Sequence, residues 1–317
     1  MPPLRLLLGL GLVTGIAAGT TFYWSQAQAK AEERAAIEAE AADTEPDYIP
    51  ASQIIEYGHP NRLALRSQVA LIIDEREEVP LYERQIDTPR PIASLTKLMT
   101  ALVIVEAGLP LDEPITITRD DRDRLKGTRS RLGFGAMFTR LDLLRAALGA
   151  SDNRAAAALA RSYPGGTDAF VETMNARAAA LGMTNTRFAD ASGLNRHNVS
   201  TARDLARLVA AARREPLIEA ATTAADFEIF DIQSERTVGF VNTNRLVRHS
   251  DWEIHLSKTG YTADAGNCLI MQVTVGERPL TVVLLNSWGK LSKYADARRI
   301  RDWLLKAERD IPAVAAI

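Results

Sequence analysis

The sequence is poor in residues that bind metals or form disulfides. It contains one cysteine, Cys268, which excludes an intrachain disulfide and any metal site built from several cysteines. The four histidines do not occur in the HExxH spacing of zinc peptidases. We therefore expect a reaction without a metal or other cofactor. Cys268 lies in an apolar run and is predicted to be a small core residue.

The chain also lacks a surplus of positive charge. Its 38 Lys and Arg residues face 40 Asp and Glu residues, for a formal net charge of -2. Nucleic-acid binding requires cations that neutralise phosphates, so nucleic acid is not a predicted partner. What the 317 residues do supply is 46% hydrophobic side chains, enough for a full core in one large domain or two modest ones.

The N-terminal region has the features of an export signal. Arg5 precedes an uncharged stretch over residues 6–24, and Ala27-Gln28-Ala29 follows as a small-x-small cleavage site. The stretch is also nearly long enough to span a bilayer, so residues 1–29 are predicted to be a signal peptide or an N-terminal membrane anchor, with cleavage favoured. The chain is then divided into an acidic, Ala-rich linker (30–59), a catalytic domain (60–310) and a tail (311–317).

Hydrophobic patterns predict a sheet whose strands come from both ends of the domain. β-Rich runs separated by turn signals predict a hairpin at 68–85 and another at 267–286. Between them, periodic segments that end at Gly, or before Pro-Gly, predict helices at 95–107, 140–148, 154–162 and 168–181. An amphipathic helix at 294–306 is expected to cover the sheet. The highly charged block 119–131 is interpreted as a solvated loop.

A serine and a lysine open the first of these helices. Ser94 and Lys97 are three residues apart, so their side chains share one helical face and lie within reach of each other. A lysine can remove the proton of a serine hydroxyl when burial or a nearby cation lowers its pKa. The same spacing recurs at Ser287 and Lys290, but there the serine follows a strand and the lysine lies beyond a turn.

Two further polar motifs follow along the chain. Ser151-Asp152-Asn153 comes directly after the helix stop at Gly149, where it is either a helix N-cap or a set of side chains that project into a cleft. Lys258-Thr259-Gly260 places a cation, a hydroxyl and a glycine on a strand edge, where glycine lets a substrate backbone approach closely.

These three motifs, in this order, resemble those of the penicillin-binding proteins and serine β-lactamases. The segments around them, including Arg90-Pro-Ile-Ala-Ser-Leu-Thr-Lys and Leu181-Gly-Met-Thr-Asn-Thr, are similar to the D-alanyl-D-alanine endopeptidases over roughly residues 60 to 308. The implied fold class is α/β (α+β) of the β-lactamase/transpeptidase type. It consists of an antiparallel sheet flanked by helices and a mainly helical lobe, with the active site between them.

The resemblance also implies a reaction and its residues. The substrate would be the D-Ala to diaminopimelate cross-link of peptidoglycan, hydrolysed in the periplasm through an acyl-enzyme, with β-lactam antibiotics as covalent inhibitors. Ser94 would be the nucleophile, Lys97 its base and Ser151 a proton shuttle. The other implied groups are the substrate-binding residues Asn153, Lys258, Thr259 and Gly260, and an oxyanion hole made by the backbone NH groups of Ser94 and Tyr261.

Three alternatives remain. A D-alanyl-D-alanine carboxypeptidase would use the same catalytic residues, but such relatives often carry an arginine at the position of Thr243, which favours the endopeptidase. A β-lactamase usually has a Glu in the loop before the third motif. Residues 184–200 contain no Glu, and their one carboxylate, Asp190, has the setting of a turn residue. A non-catalytic wall-binding protein would be expected to have damaged motifs.

Overall fold

The computed structural model describes residues 48–312, together with Ser25, Gln28, Ala29 and Glu32. Most of the predicted signal peptide or membrane anchor and most of the predicted linker lie outside the described residues, so both stay predictions. Within the described part of the chain, no helix has the length and apolarity needed to cross a membrane.

Residues 48–312 form eight α-helices and eleven strands, with four short 3-10 helices between them. In chain order the helices and strands are α1 (Ala51–Gly58), β1 (Ser67–Asp74), β2 (Val79–Arg84), β3 (Arg90–Pro91), α2 (Thr96–Glu106), β4 (Pro114–Thr116), β5 (Met137–Thr139), α3 (Arg140–Leu148), α4 (Asn153–Arg161), α5 (Gly166–Ala180), β6 (Val199–Ser200), α6 (Ala202–Ala212), α7 (Pro216–Thr223), β7 (Asp226–Asp231), β8 (Arg236–Val241), β9 (Glu253–Thr262), β10 (Gly266–Val275), β11 (Arg278–Ser287) and α8 (Ser292–Asp310).

The main sheet joins the two ends of the domain, as predicted. Its five strands are ordered β2-β1-β11-β10-β9, and all neighbouring strands are antiparallel. The first hairpin meets the last one where β1 pairs with β11, with Leu71 opposite Val283. Strands β1, β10 and β11 are buried along almost their whole length because helices cover both faces of the sheet. The predicted α+β class is confirmed, and β9, which carries the third motif, is an edge strand.

Each face of the sheet has its own hydrophobic core. On one face, α1 and α8 pack against Leu269 and Met271 of β10. On the other face, α2 and the helical lobe pack against Cys268 and Ile270. The covering helix is longer than the predicted 294–306 and buries Ile300 and Leu304, as its pattern indicates. The two cores place the sheet as a wall between the helical lobe and the α1–α8 layer.

The helix α1 lies inside the range that was predicted to be linker. Ala51 and Ile54 are fully buried one helical turn apart, and the Trp303 indole of α8 donates to the Gly58 carbonyl at 2.7 Å. Just before α1, the buried Arg278 guanidinium donates to the Tyr48 hydroxyl at 2.6 Å. The acidic, Ala-rich composition of the preceding residues masked this short apolar pattern. The packed part of the chain therefore begins before residue 60.

The helical lobe contains the four predicted helices as α2 to α5, with ends that differ by at most a few residues. The sequence analysis predicted neither α6 nor α7, although α6 carries an amphipathic stripe that buries Leu205 and Leu208. Both helices begin as local chemistry requires, since the Thr201 hydroxyl caps α6 by accepting from the Asp204 N–H at 3.1 Å and Pro216 opens α7. They complete the floor of the lobe next to β9 and β11.

Candidate active site

The nucleophile candidate lies on a tight turn at the start of α2. Ala93 adopts a left-handed backbone with φ of 48° directly before Ser94. The turn is enclosed by two glycines, because a Cβ on Gly260 would stand 3.1 Å from the Ser94 nitrogen and one on Gly193 would stand 1.9 Å from the Ala93 carbonyl oxygen. Gly260 thus makes room for this turn, and its predicted contact with substrate stays a prediction. Strand β9 and the loop that contains Gly193 therefore fix the Ser94 backbone from both sides.

Lys97 is fully buried and contacts three parts of the site. Its ammonium donates to Ser94 Oγ at 3.1 Å, to Asn153 Oδ1 at 2.6 Å and to the Ser192 carbonyl at 2.6 Å. Burial lowers the pKa of Lys97 to about 8, although the carboxylates of Asp190 and Asp152 act in the opposite direction. The predicted contact between Ser94 and Lys97 is confirmed. A lysine with this pKa is partly neutral near physiological pH and can accept the serine proton.

The second motif combines the two readings that its sequence left open. Asp152 caps α4, since its carboxylate accepts from the Ala155 N–H at 3.0 Å. Asn153 points into the site and contacts Lys97. Ser151 is half-buried and holds a left-handed φ of 59°, a conformation uncommon for a residue other than glycine. Among the described residues, its hydroxyl makes no hydrogen bond with Ser94 or Lys97, so its shuttle role stays a prediction.

The third motif lies along the edge strand β9. Lys258 is buried and its ammonium donates to the Thr259 carbonyl at 3.2 Å. Burial, and then repulsion from Lys97 and Lys293, hold the pKa of Lys258 well below its usual value. The Thr259 hydroxyl donates to Thr243 Oγ1 at 2.8 Å, which brings the central residue of the Asn-x-Asn segment to the site.

The site also contains groups that the sequence patterns did not identify. Ser192 contributes through its backbone carbonyl, for which a side-chain motif gives no signal. Thr128 accepts a hydrogen bond from Asn153 Nδ2 at 3.0 Å, although it belongs to the block 119–131 that was interpreted as a solvated loop. That interpretation was incomplete. Most of the block is exposed, but Asp121 is buried and Thr128 contacts the second motif.

Asp190 organises the loop that supports Lys97. Its carboxylate accepts from the N–H groups of Ser192, Gly193 and Asn195, each at 2.6 Å, and from the Ser192 hydroxyl at 3.0 Å. The prediction that Asp190 is a turn residue is confirmed. Its hydrogen bonds hold the Ser192 carbonyl against Lys97 and the Gly193 backbone against the Ser94 turn.

Residues that could have competed for a catalytic role are placed elsewhere. Ser287 is buried at the end of β11, where its hydroxyl lies 2.7 Å from that of Ser67, while Lys290 is exposed beyond the turn. Cys268 is fully buried, and desolvation raises the pKa of its thiol to about 11, as expected for a core residue. The described residues contain no cluster of His, Cys, Asp and Glu that could hold a metal ion.

This geometry agrees with the comparison of the chain with known proteins. The sequence model of the D-alanyl-D-alanine carboxypeptidases, peptidase S11, matches residues 57–289. The chain belongs to this family. It is 44% identical to the D-alanyl-D-alanine endopeptidase of Pseudomonas aeruginosa over 268 residues, which are 84% of this chain and 86% of the relative. It is 43% identical to the D-alanyl-D-alanine endopeptidase of Escherichia coli, with 79% and 81% of the two chains covered.

The fold of this peptidase S11 member is also that of solved structures. The crystal structure of the Streptomyces K15 DD-transpeptidase superposes with a TM-score of 0.70 at 26% identity, and covers 76% of this chain and 98% of that one. The predicted membership of the penicillin-binding protein and DD-peptidase group is therefore confirmed. The family assignment identifies the chain as a serine DD-peptidase.

Proposed function

We propose that the protein is a D-alanyl-D-alanine endopeptidase that hydrolyses the D-Ala to diaminopimelate cross-links of peptidoglycan through an acyl-enzyme on Ser94. The observation that carries the proposal is the buried Lys97, whose pKa is about 8 and whose amine lies 3.1 Å from Ser94 Oγ. A neutral amine in this position removes the proton as the serine oxygen attacks the D-Ala carbonyl carbon.

The remaining steps use the groups that surround Ser94. The developing oxyanion accepts hydrogen bonds from the backbone NH groups of Ser94 and Tyr261. The leaving amine of diaminopimelate takes the proton through Lys97 and Ser151, and water then hydrolyses the ester on Ser94. Asn153, Lys258, Thr259 and Gly260 bind and orient the peptide. Because Lys258 lies buried at the strand edge, its side-chain nitrogen can donate a hydrogen bond to a carboxylate or carbonyl oxygen of the substrate.

Two observations support endopeptidase over carboxypeptidase activity. Both relatives described above are named endopeptidases. Thr243, which stands where carboxypeptidase relatives often carry arginine, contacts Thr259 of the third motif. A short hydroxyl there leaves more room and less positive charge near the substrate than an arginine would. Carboxypeptidase activity is the second candidate because it would use the same nucleophile and base.

Two other candidates are less well supported. A β-lactamase needs a base that activates water, and the carboxylate of Asp190 is already occupied by four hydrogen bonds from its own loop. A non-catalytic wall-binding protein would not need the contact between Ser94 and Lys97. We also propose a periplasmic location, reached by an export signal or anchor in residues 1–29.

The test is mass spectrometry of purified muropeptides, with monomeric pentapeptide and cross-linked dimer incubated side by side. We expect wild type to consume the dimer, Ser94→Ala to leave it intact, and the matched control Ser287→Ala to behave as wild type. Removal of terminal D-Ala alone would identify a carboxypeptidase. A labelled penicillin that acylates wild type and then turns over rapidly would indicate a β-lactamase, and no labelling of folded protein would favour a binding module.

A further inference from the structure

The side-chain amide of Asn153 is held at both of its ends. Its Oδ1 accepts from Lys97 Nζ at 2.6 Å, and its Nδ2 donates to Thr128 Oγ1 at 3.0 Å. Because an amide accepts at one end and donates at the other, a single orientation satisfies both partners. The opposite orientation would direct N–H groups at the Lys97 ammonium. The contact with Thr128 therefore selects the orientation in which Asn153 offers an acceptor to Lys97.

Thr128 is itself oriented by the loop in which it lies. Its hydroxyl donates to Asp123 Oδ2 at 2.7 Å, which leaves the oxygen lone pairs available to Asn153. Asp123 also accepts from the N–H groups of Leu125 at 2.8 Å, Lys126 at 2.9 Å and Thr128 at 2.8 Å. Partial burial raises the pKa of Asp123, but these hydrogen bonds outweigh it and hold the pKa below its usual value. The carboxylate stays charged and keeps Thr128 a donor towards it.

The same loop is attached to the opposite wall of the site. The Lys126 ammonium lies 2.7 Å from Asp264 Oδ2, in the turn between β9 and β10 that follows the third motif. Both side chains are about one-third exposed, at 36% and 32%, so this ion pair is worth little on its own. The ion pair attaches the loop 123–128 to the sheet, and the contact of Thr128 with Asn153 attaches it to the helical lobe.

We propose that Thr128, oriented by Asp123, is a positioning residue that sets the Asn153 amide and, through it, the Lys97 amine. The role rests on the proposed function, since it matters for catalysis only if Lys97 activates Ser94. Thr128 touches neither Ser94 nor Lys97 directly, and its effect passes through Asn153.

The informative change is Thr128→Val, which keeps the shape of the side chain and removes its hydroxyl. Asn153 then loses the partner of its Nδ2 group, and its Oδ1 is no longer held at Lys97. An ammonium is a stronger donor than an amine, so loss of this acceptor lowers the pKa of Lys97. Of the charged groups that face Lys97, the substitution leaves Asp190, Asp152 and Lys258 untouched. Asp123 loses the hydroxyl of Thr128 but keeps the three backbone N–H donors that hold it as a carboxylate.

Two measurements on the full chain test the proposal. The first is carbon-13 NMR titration of lysine-labelled protein, with the Lys97 signal assigned by its loss in Lys97→Arg. The second is the rate of acylation by a fluorescent penicillin as a function of pH. We expect Thr128→Val to lower the Lys97 pKa by roughly half a unit to one unit. At the high pH where Lys97 is neutral in both proteins, we expect the variant to be acylated about 3- to 10-fold more slowly than wild type. Thr128→Ser should restore both values, and Thr237→Val, at an exposed threonine of β8, should match wild type.

The two measurements distinguish failure of the positioning role from failure of the proposed function. If wild type is not acylated but Thr128→Val still shifts the Lys97 pKa, the proposed function is wrong and the positioning role stands. If wild type is acylated and Thr128→Val changes neither the pKa nor the rate, the positioning role is refuted. A fall in rate together with a lower melting temperature and an unmoved Lys97 pKa would show a merely structural role and would also overturn it.

Discussion

The close packing of Gly193 against the Ser94 turn provides a direct test of the site. In Gly193→Ala the new Cβ would stand 1.9 Å from the Ala93 carbonyl oxygen, 2.4 Å from the Ala93 carbonyl carbon and 2.9 Å from the Ser94 nitrogen. These neighbours are backbone atoms, which cannot rotate away as the end of a side chain can. Gly193 also has a φ of 84°, in a region that alanine disfavours. The substitution must therefore move either the loop or the nucleophile turn.

The expected cost follows from these two effects. The positive φ costs alanine about 1–2 kcal/mol, and overpacking of a tight contact costs about 1–3 kcal/mol more. The total of about 2–5 kcal/mol should lower the melting temperature by about 4 to 20 °C, at about 2–4 °C per kcal/mol for a domain of this size. Because the turn carries Ser94, acylation should fall much further than the loss of folded protein explains.

The assay is thermal unfolding combined with labelling by a fluorescent penicillin well below the melting temperature. Gly239→Ala is the matched control, since a Cβ at that position in β8 meets no atom within 4 Å. We expect the control to unfold and acylate as wild type does. A Gly193→Ala protein with unchanged melting temperature and wild-type acylation would show that the loop does not hold the nucleophile turn.

Three further predictions concern charge and burial. Lys97 must be neutral to act as a base and its pKa is about 8, so the acylation rate should fall as the pH falls. A stopped-flow pH profile should give about a tenth of the maximal rate at pH 7 and about nine-tenths at pH 9. A flat profile across this range would contradict the assignment of Lys97 as the base. Asp74→Ala removes the buried carboxylate partner of Arg278 and leaves it the more distant carboxylate of Glu308, at 3.7 Å. The free energy of unfolding in urea should fall by about 3 kcal/mol, whereas a loss under about 1 kcal/mol would show that the pair is not needed. The Cys268 thiol, with a pKa of about 11, should be about 0.1% ionised at pH 8, so iodoacetamide should alkylate it only after unfolding; rapid labelling of native protein would refute its burial.

The fold was largely predictable because its signals are local. Alternating and continuous apolar runs identified both hairpins of the main sheet. Glycine stops marked the ends of three helices, and Pro-Gly marked the end of a fourth. The helix α1 was missed because its buried face consists of little more than Ala51 and Ile54, next to a long polar segment. Packing against α8 stabilises it, and that contact joins residues far apart in the sequence.

The candidate site was less predictable than the fold, because some of its groups leave no signal in the sequence. Ser94, Lys97 and Asn153 could be proposed because side-chain chemistry and spacing are visible in the sequence. The backbone carbonyl of Ser192 leaves no such trace, and the hydroxyl of Thr128 is one of many in polar loops. The tertiary structure assigns these groups to the site. Gly260 was predicted to allow a close approach by substrate, and nothing in the sequence indicated that the protein's own nucleophile turn also packs closely against it.

The two-sided sheet has a consequence for how the domain can be attached to a surface. Residues at both ends of the described chain, Ile49 and Ile311, pack with the α1–α8 layer, while Ser94 and Lys97 lie on the side of the helical lobe. A tether at either end therefore pulls on the face that turns away from the cleft. The domain can be held at a membrane or on a sensor chip with its cleft directed outward.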